Sequence, residues 1–158
     1  HLMQKGEPYG IVFSSMQAMN IRRIEAGILD SGSDFDSSMT PFEVGLEKFV
    51  DFSKKGFMGH DALRAATPGT RLFGLRCKGA TPQAGDLVLS ENAPRGKVTT
   101  GAFSPYLECG IGYLRFDKPS DWSGKILTLR SHKIGEASCT IVDLPSYDHE
   151  KLLPRDLK

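Results

Sequence analysis

Two hydrophobic periodicities divide this chain. Between residues 14 and 28 apolar side chains recur every three or four positions; from residue 71 onward they alternate with polar ones in short runs. The first pattern predicts a helix with Ser14 or Ser15 as its N-cap and Met16, Met19, Ile24 and Ile28 near one face. Gly27 suits a left-handed C-terminal cap, and Arg22 and Arg23 fall in the last turn, where the helix dipole favours cations. The Gly, Ser and Asp content of "LDSGSDFDSSMTPFE" marks a loop ending at Thr40-Pro41. "FEVGLEKFVDF" (42–52) reads as largely extended, and "GHDALRAATPG" (59–69) as a short helix stopped by Pro68 and Gly69.

The second pattern predicts strands. "RLFGLRC" places Phe73, Leu75 and Cys77 on one face. "DLVLSENAPRGKVTTG" reads as two extended runs around a Pro/Gly turn. Further strands follow at 110–116 and 125–129, and at 136–144 with Ala137, Cys139 and Ile141 on one face. At least five short strands between turn signals predict a compact antiparallel sandwich or barrel. The fold class is thus α+β dominated by β, with a boundary near residues 66–70. Residues 1–66 hold the helix, loop, extended segment and short helix; residues 67–150 form the β lobe. Residues 151–158 are the tail, and "HEKLLPRDLK" (149–158) reads as polar with one helical turn stopped at Pro154.

Composition narrows the function. A chain of 158 residues with 39% hydrophobic and 25% charged residues suits one soluble domain, or one domain and a remnant of another. A net charge of +1 without a basic run gives no basis for a nucleic-acid or anionic-membrane partner. Cys77, Cys109 and Cys139 are odd in number and far apart, which fits a reducing compartment rather than a disulfide framework or a zinc site. The four histidines stand at no metal-ligand spacing and read as surface or loop residues. No apolar run is long enough to span a bilayer, and the N-terminus lacks a signal-peptide pattern. His1-Leu2-Met3 reads as a cloning scar, so the chain is expected to be a piece of a longer protein.

No nucleophile elbow, P-loop or HExxH motif is present. "GIG" at 110–112 lacks the third glycine of a dinucleotide site and reads as a glycine pair within a strand. Trp122 is expected to pack over the barrel, Tyr113 and Tyr147 to pack at strand ends, and Cys109 to be exposed without an activating base. The one arrangement that suggests ligand chemistry is "RRIE", residues 22–25. It is either a solvated helix end or a clamp for an anion.

Several stretches resemble the C-terminal half of the glycine cleavage T-protein (aminomethyltransferase) family. They are "RRIEAG" (22–27), "TPFEVGLEKFV" (40–50), "GFMGHDAL" (56–63) and "GKVTTGAFSP" (96–105), followed in the family's order by "IGYL" (111–114) and "VDLPSY" (142–147). The resemblance implies a folate-dependent one-carbon enzyme whose three domains ring a tetrahydrofolate site. It implies that residues 1–66 end the folate-binding central region and that the β lobe is a jelly-roll-like barrel. Arg23 matches the motif arginine and Glu25 the motif acid, which makes both candidate cofactor-binding residues. A guanidinium can hold a carboxylate of the folate glutamate tail through two parallel hydrogen bonds.

Two departures stand out: Gln83 replaces a common arginine in "TPQAGD", and Thr100 replaces serine in "VTTG". The family's catalytic acid lies upstream, so no catalytic residue is assigned here and the chain alone is expected to be inactive. The implied partners are the missing N-terminal portion of the same protein and a lipoyl-carrying protein or small methylated substrate. The implied location is the cytoplasm, or the mitochondrial matrix in a eukaryote. Folate-dependent S- or O-demethylases share the resemblance. A C-terminal module of a flavin-linked dimethylglycine or sarcosine dehydrogenase is the remaining alternative.

Overall fold

A computed structural model describes residues 1–145 and residue 147. Helix α1 (Leu2–Gly6) and a 3-10 turn (Glu7–Tyr9) precede helix α2 (Met16–Glu25); a second 3-10 turn (Glu47–Phe49) and helix α3 (His60–Ala65) follow. The strands are β1 (Leu72–Cys77), β2 (Leu87–Ser90), β3 (Ala93–Ser104), β4 (Cys109–Phe116), β5 (Ile126–Ser131) and β6 (Gly135–Val142). They close an antiparallel barrel in the order β1-β4-β3-β2-β5-β6, the last pairing with the first through Leu75 opposite Ile141. Closure removes free edges. The antiparallel-barrel expectation therefore holds.

Alternation fills the barrel. Phe73, Leu75 and Cys77 of β1 point inward with Val88, Val98, Leu114, Phe116, Leu129, Cys139 and Ile141. Trp122 stacks on Phe116 with centroids 4.2 Å apart and planes 7° from parallel, packing against this interior as predicted. A second apolar cluster lies outside the barrel wall, where Leu72, Cys109, Ile111 and Tyr113 meet Ile24 and Val44. Strand β4 is thus buried on both faces. Its outward residues are committed to α2 and the loop after it.

Several expectations are corrected. Of the predicted helix face, only Ile24 is buried, while Met16, Met19 and Ile28 are exposed. The 3.6-residue period identified the helix but not the side facing the barrel, because that side is partly polar. Residues 42–52 form turns rather than a largely extended segment. Phe42 stacks on Phe52, and the Glu43 backbone carbonyl accepts the amides of Arg71 and Leu72, so the segment folds against the start of β1. The β2–β3 turn sits at Glu91-Asn92, both at positive φ, and Pro94 and Gly96 lie within β3. A register shift at Val88/Leu89 accommodates Pro94, a residue that cannot donate to the ladder. Cys109 is buried, not exposed. Tyr113 lies in the middle of β4, not at its end, because α2 covers that strand from outside. Tyr147 packs against Tyr106 with ring centroids 4.5 Å apart. The tail turn at 149–158 lies outside the described residues.

Candidate functional site: the helix–barrel seam

Helix α2 begins where Ser15 Oγ accepts the Ala18 amide at 3.1 Å. It ends at Gly27, whose φ of 71° fits the left-handed position after a helix. The Ile28 amide then reaches back to the Arg23 carbonyl at 2.9 Å, so this turn closes as the glycine predicts. The Tyr113 hydroxyl meets the same end: it lies 3.0 Å from the carbonyls of Arg23 and Ile24 and donates to them. Burial, reinforced by the nearby Asp34 charge, pushes the phenol well above its ordinary pKa, so it stays a donor. A helix end rich in unpaired carbonyls is thereby sealed by a residue of the barrel wall.

Arg23 lies in this seam rather than in open solvent. Its Nε donates to Asn20 Oδ1 at 2.8 Å, and its Nη1 to Asp34 Oδ2 at 2.7 Å and the Ile28 carbonyl at 3.2 Å. Nη2 donates to Thr100 Oγ1 at 3.2 Å. A guanidinium has five N–H bonds. Four have partners among the described residues, leaving one on Nη2. A two-bond carboxylate grip would require Asn20, Ile28, Asp34 or Thr100 to let go.

Asp34 is fully buried. Besides Arg23, it accepts the Asp30 amide on Oδ2 at 2.9 Å and the Thr99 hydroxyl on Oδ1 at 2.7 Å. The threonine arrangement depends on a bulge. Successive residues of a regular strand face opposite sides. The β3–β4 register shifts between Val98 and Thr100, and both Thr99 and Thr100 reach the α2 side.

Glu25 does not pair with Arg23. It is buried, with Oε1 accepting the Ser104 hydroxyl at 2.6 Å and Oε2 facing the exposed Arg22 at 3.3 Å. Ser104 Oγ in turn accepts the Leu107 amide at 3.0 Å, which ties the β3–β4 turn to the end of α2. Within the RRIE segment Arg22 is exposed to solvent, while Arg23 and Glu25 turn toward the barrel. Arg23 and Glu25 reach two separate points on β3.

Beside Arg23 runs a groove of about 630 Å³, walled by Gln17, Asn20 and Ile21 of α2, by Thr81–Ala84, and by Thr100–Phe103 of β3. Asn20 and Thr100, two of the partners of Arg23, line it. Gln83, noted above as a departure, lines the facing wall. Glycines let that wall lie close to the sheet: a Cβ on Gly110 would stand 2.0 Å from the Ala80 carbonyl oxygen, and one on Gly101 2.1 Å from that of Pro82. The "GIG" glycines thus serve backbone approach. Asp34, Thr99 and Asn20 were missed in the sequence. "GSDFD" showed only loop composition, and the pairing of an acid with an arginine eleven residues away has no local signature.

A second joint holds the connector to the barrel. Glu43 Oε2 accepts the Thr40 amide at 2.8 Å, and Oε1 accepts Arg71 Nη1 at 2.9 Å; Arg71 Nε donates to the Phe116 carbonyl. The Thr40 amide first, and then Arg71, hold the Glu43 carboxyl below its ordinary value of 4.5. A lowered carboxyl pKa in the folded state stabilises above the unfolded value, and that contribution fades as pH falls through the folded value. Acid titration of the unfolding midpoint below pH 4.5 is therefore expected to be shallower in Glu43→Gln than in the parent. Identical slopes would remove Glu43 from the acid response.

Cys77 and Cys139 pair inside the barrel, where the hydrogen bond from Cys77 lowers the Cys139 thiol pKa. The hydrogen bond to Cys139, together with burial, pushes the Cys77 thiol far above its ordinary pKa, so it is a poor nucleophile. Among the described residues, no helix is long and apolar enough to cross a membrane.

Residues 1–54 match the GCVT N-terminal domain family, and residues 70–148 match the glycine cleavage T-protein C-terminal barrel domain family. An aminomethyltransferase of Halothermothrix orenii is 32% identical over 151 residues, covering 91% of this chain and 41% of that protein. An aminomethyltransferase of Aquifex aeolicus is 39% identical over 95 residues, covering 60% of this chain and 27% of that protein. A trimethylamine-oxide aldolase of Ruegeria pomeroyi is 32% identical over 160 residues, covering 96% of this chain and 20% of that protein. The crystal structure of the glycine cleavage system aminomethyltransferase T from Bartonella henselae shares the fold. Its TM-score is 0.70 at 22% identity, over 84% of this chain and 38% of that one. The chain thus spans about two-fifths or less of the length of these relatives. With the barrel match covering residues 70–148 and the preceding match reaching residue 54, this chain belongs to the glycine cleavage T-protein family.

Proposed function

We propose that this chain is the C-terminal part of a tetrahydrofolate-dependent aminomethyltransferase of the glycine cleavage type, divided near residues 66–70 into the end of the central region and the barrel. The observation that carries this reading is the order of the two family matches along one chain. The donor in this reading is a one-carbon unit on a lipoyl-carrying protein, and the compartment is the cytoplasm or mitochondrial matrix. Tetrahydrofolate, when bound, supplies the nitrogen that accepts the one-carbon unit.

The residues beside Arg23 suit such a ligand. Arg23 has one N–H to give, Gln17, Asn20 and Gln83 offer carboxamides, and Ile21 and Phe103 give the groove an apolar surface. In this reading Arg23 contacts the cofactor, and Glu25, held by Ser104, braces the end of α2 against β3. Their work is orientation rather than proton transfer. The remaining cofactor contacts and the catalytic acid would come from the part of the protein that precedes this chain.

The test uses the full-length protein. Aminomethyl transfer to tetrahydrofolate from a loaded lipoyl protein is expected. Methyl transfer from a sulfonium compound or aryl methyl ether instead would move the assignment to the demethylases. Absence of saturable tetrahydrofolate binding would overturn both and leave a non-catalytic module.

A further inference from the structure

We propose that Asp34 is a positioning residue that sets the direction of the Arg23 guanidinium toward Thr100, at the edge of the groove between α2 and β3; this rests on the folate reading above. Arg23 could turn about its long side chain, and a mobile guanidinium would lose entropy on meeting a ligand. Asp34 opposes that motion at the shortest contact Arg23 makes, 2.7 Å from Nη1. The carboxylate is itself held by the Asp30 amide and the Thr99 hydroxyl, and it is fully buried. It therefore acts as a fixed reference for the arginine.

The β3 bulge adds an independent observation. It brings two consecutive hydroxyls to one side, Thr99 to the acid and Thr100 to the base. A strand without the bulge would offer one of them. With Nη1 held by Asp34 and the Ile28 carbonyl, and Nε by Asn20, the uncommitted N–H lies on Nη2, beside Thr100. Thr100 and Asn20 both line the groove. Thr100 accepts from Arg23, so its own proton is free to donate. The ligand group that this arrangement fits is one acceptor atom shared by an N–H and an O–H, such as a single carboxylate or carbonyl oxygen, rather than a carboxylate gripped by both oxygens.

The experiment measures tetrahydrofolate Kd and the melting midpoint of the full-length protein and its Asp34→Asn, Arg23→Lys, double and Thr99→Val variants. Asp34→Asn is expected to weaken binding roughly tenfold, as for loss of one charge-assisted hydrogen bond. In the Arg23→Lys background the same change is expected to cost less than about twofold, because the group it positions is gone. Additive losses would mean that Asp34 acts only on the fold and would overturn the proposal. So would a folded Asp34→Asn with unchanged Kd, or unchanged Kd in Arg23→Lys. Thr99→Val frees only one oxygen of Asp34 and is expected to weaken binding about threefold; if Asp34→Asn does not fold, unchanged binding in Thr99→Val overturns the proposal. A parent protein that binds no tetrahydrofolate would instead sink the folate reading itself, and the proposal with it.

Discussion

Arg23→Ala is expected to lower the unfolding free energy by about 3 kcal/mol, the usual cost of leaving one partner of a buried ion pair alone. The reason lies in Asp34, which is fully buried and would be left with only the Thr99 hydroxyl and the Asp30 amide as partners. Arg23 itself is about one-fifth exposed, so its loss as a surface charge would explain little. Urea unfolding followed by circular dichroism checks this: the midpoint should fall with little change in slope. Adding Asp34→Asn should recover part of the loss, since the buried acid left without its arginine is then replaced by an amide. A double variant weaker than Arg23→Ala would show that the ion pair is not the source of the effect.

Gly110→Ala carries the other large expectation. The new Cβ would stand 2.0 Å from the Ala80 carbonyl oxygen and 2.7 Å from Pro82 Cδ. The nearer of these is a backbone atom, so no side chain can swing aside to relieve it. Overpacking of this kind costs about 1–3 kcal/mol, and the upper end is expected here. The shift should also move Thr81–Ala84, one wall of the groove, away from β3. Thermal unfolding tests the stability cost, and hydrogen exchange of the backbone amides at residues 81, 83 and 84 tests the displacement. A Gly110→Ala variant as stable as the parent, with unchanged exchange, would mean that this approach of loop to sheet is not tight in solution.

The barrel was legible because strand alternation is a local code. Phe73, Leu75 and Cys77 declare one face of β1 without reference to any other strand, and Cys139 and Ile141 do the same for β6. Caps are local too, and Ser15 and Gly27 stand where the helix ends require them. The failures share a different cause. The bulky residues of "FEVGLEKFVDF" suggested an extended segment, but no strand pairs with it and it instead turns onto Arg71 and Leu72. Met16 and Met19 suggested a buried helix face, but the barrel offers α2 hydroxyls as well as apolar wall. Thr99, Thr100, Ser104 and Tyr113 take the polar positions of α2 and its loop inward.

The sequence by itself determined the helix and its caps, most of the strands and their inward faces, and, through the resemblance of its motifs, the family. All of these rest on residues a few positions apart, or on motifs whose order survives without coordinates. Only the tertiary structure decided what Arg23 and Glu25 touch. Their partners, Asp34, Thr100 and Ser104, stand 11, 77 and 79 residues away. The loop after α2 brings Asp34 back to Arg23, and the packing of β3, with its one-residue bulge, against α2 brings Thr100 and Ser104; neither leaves a periodic trace in the chain. Local periodicity reports which way a side chain points; it carries no information about what comes to meet it.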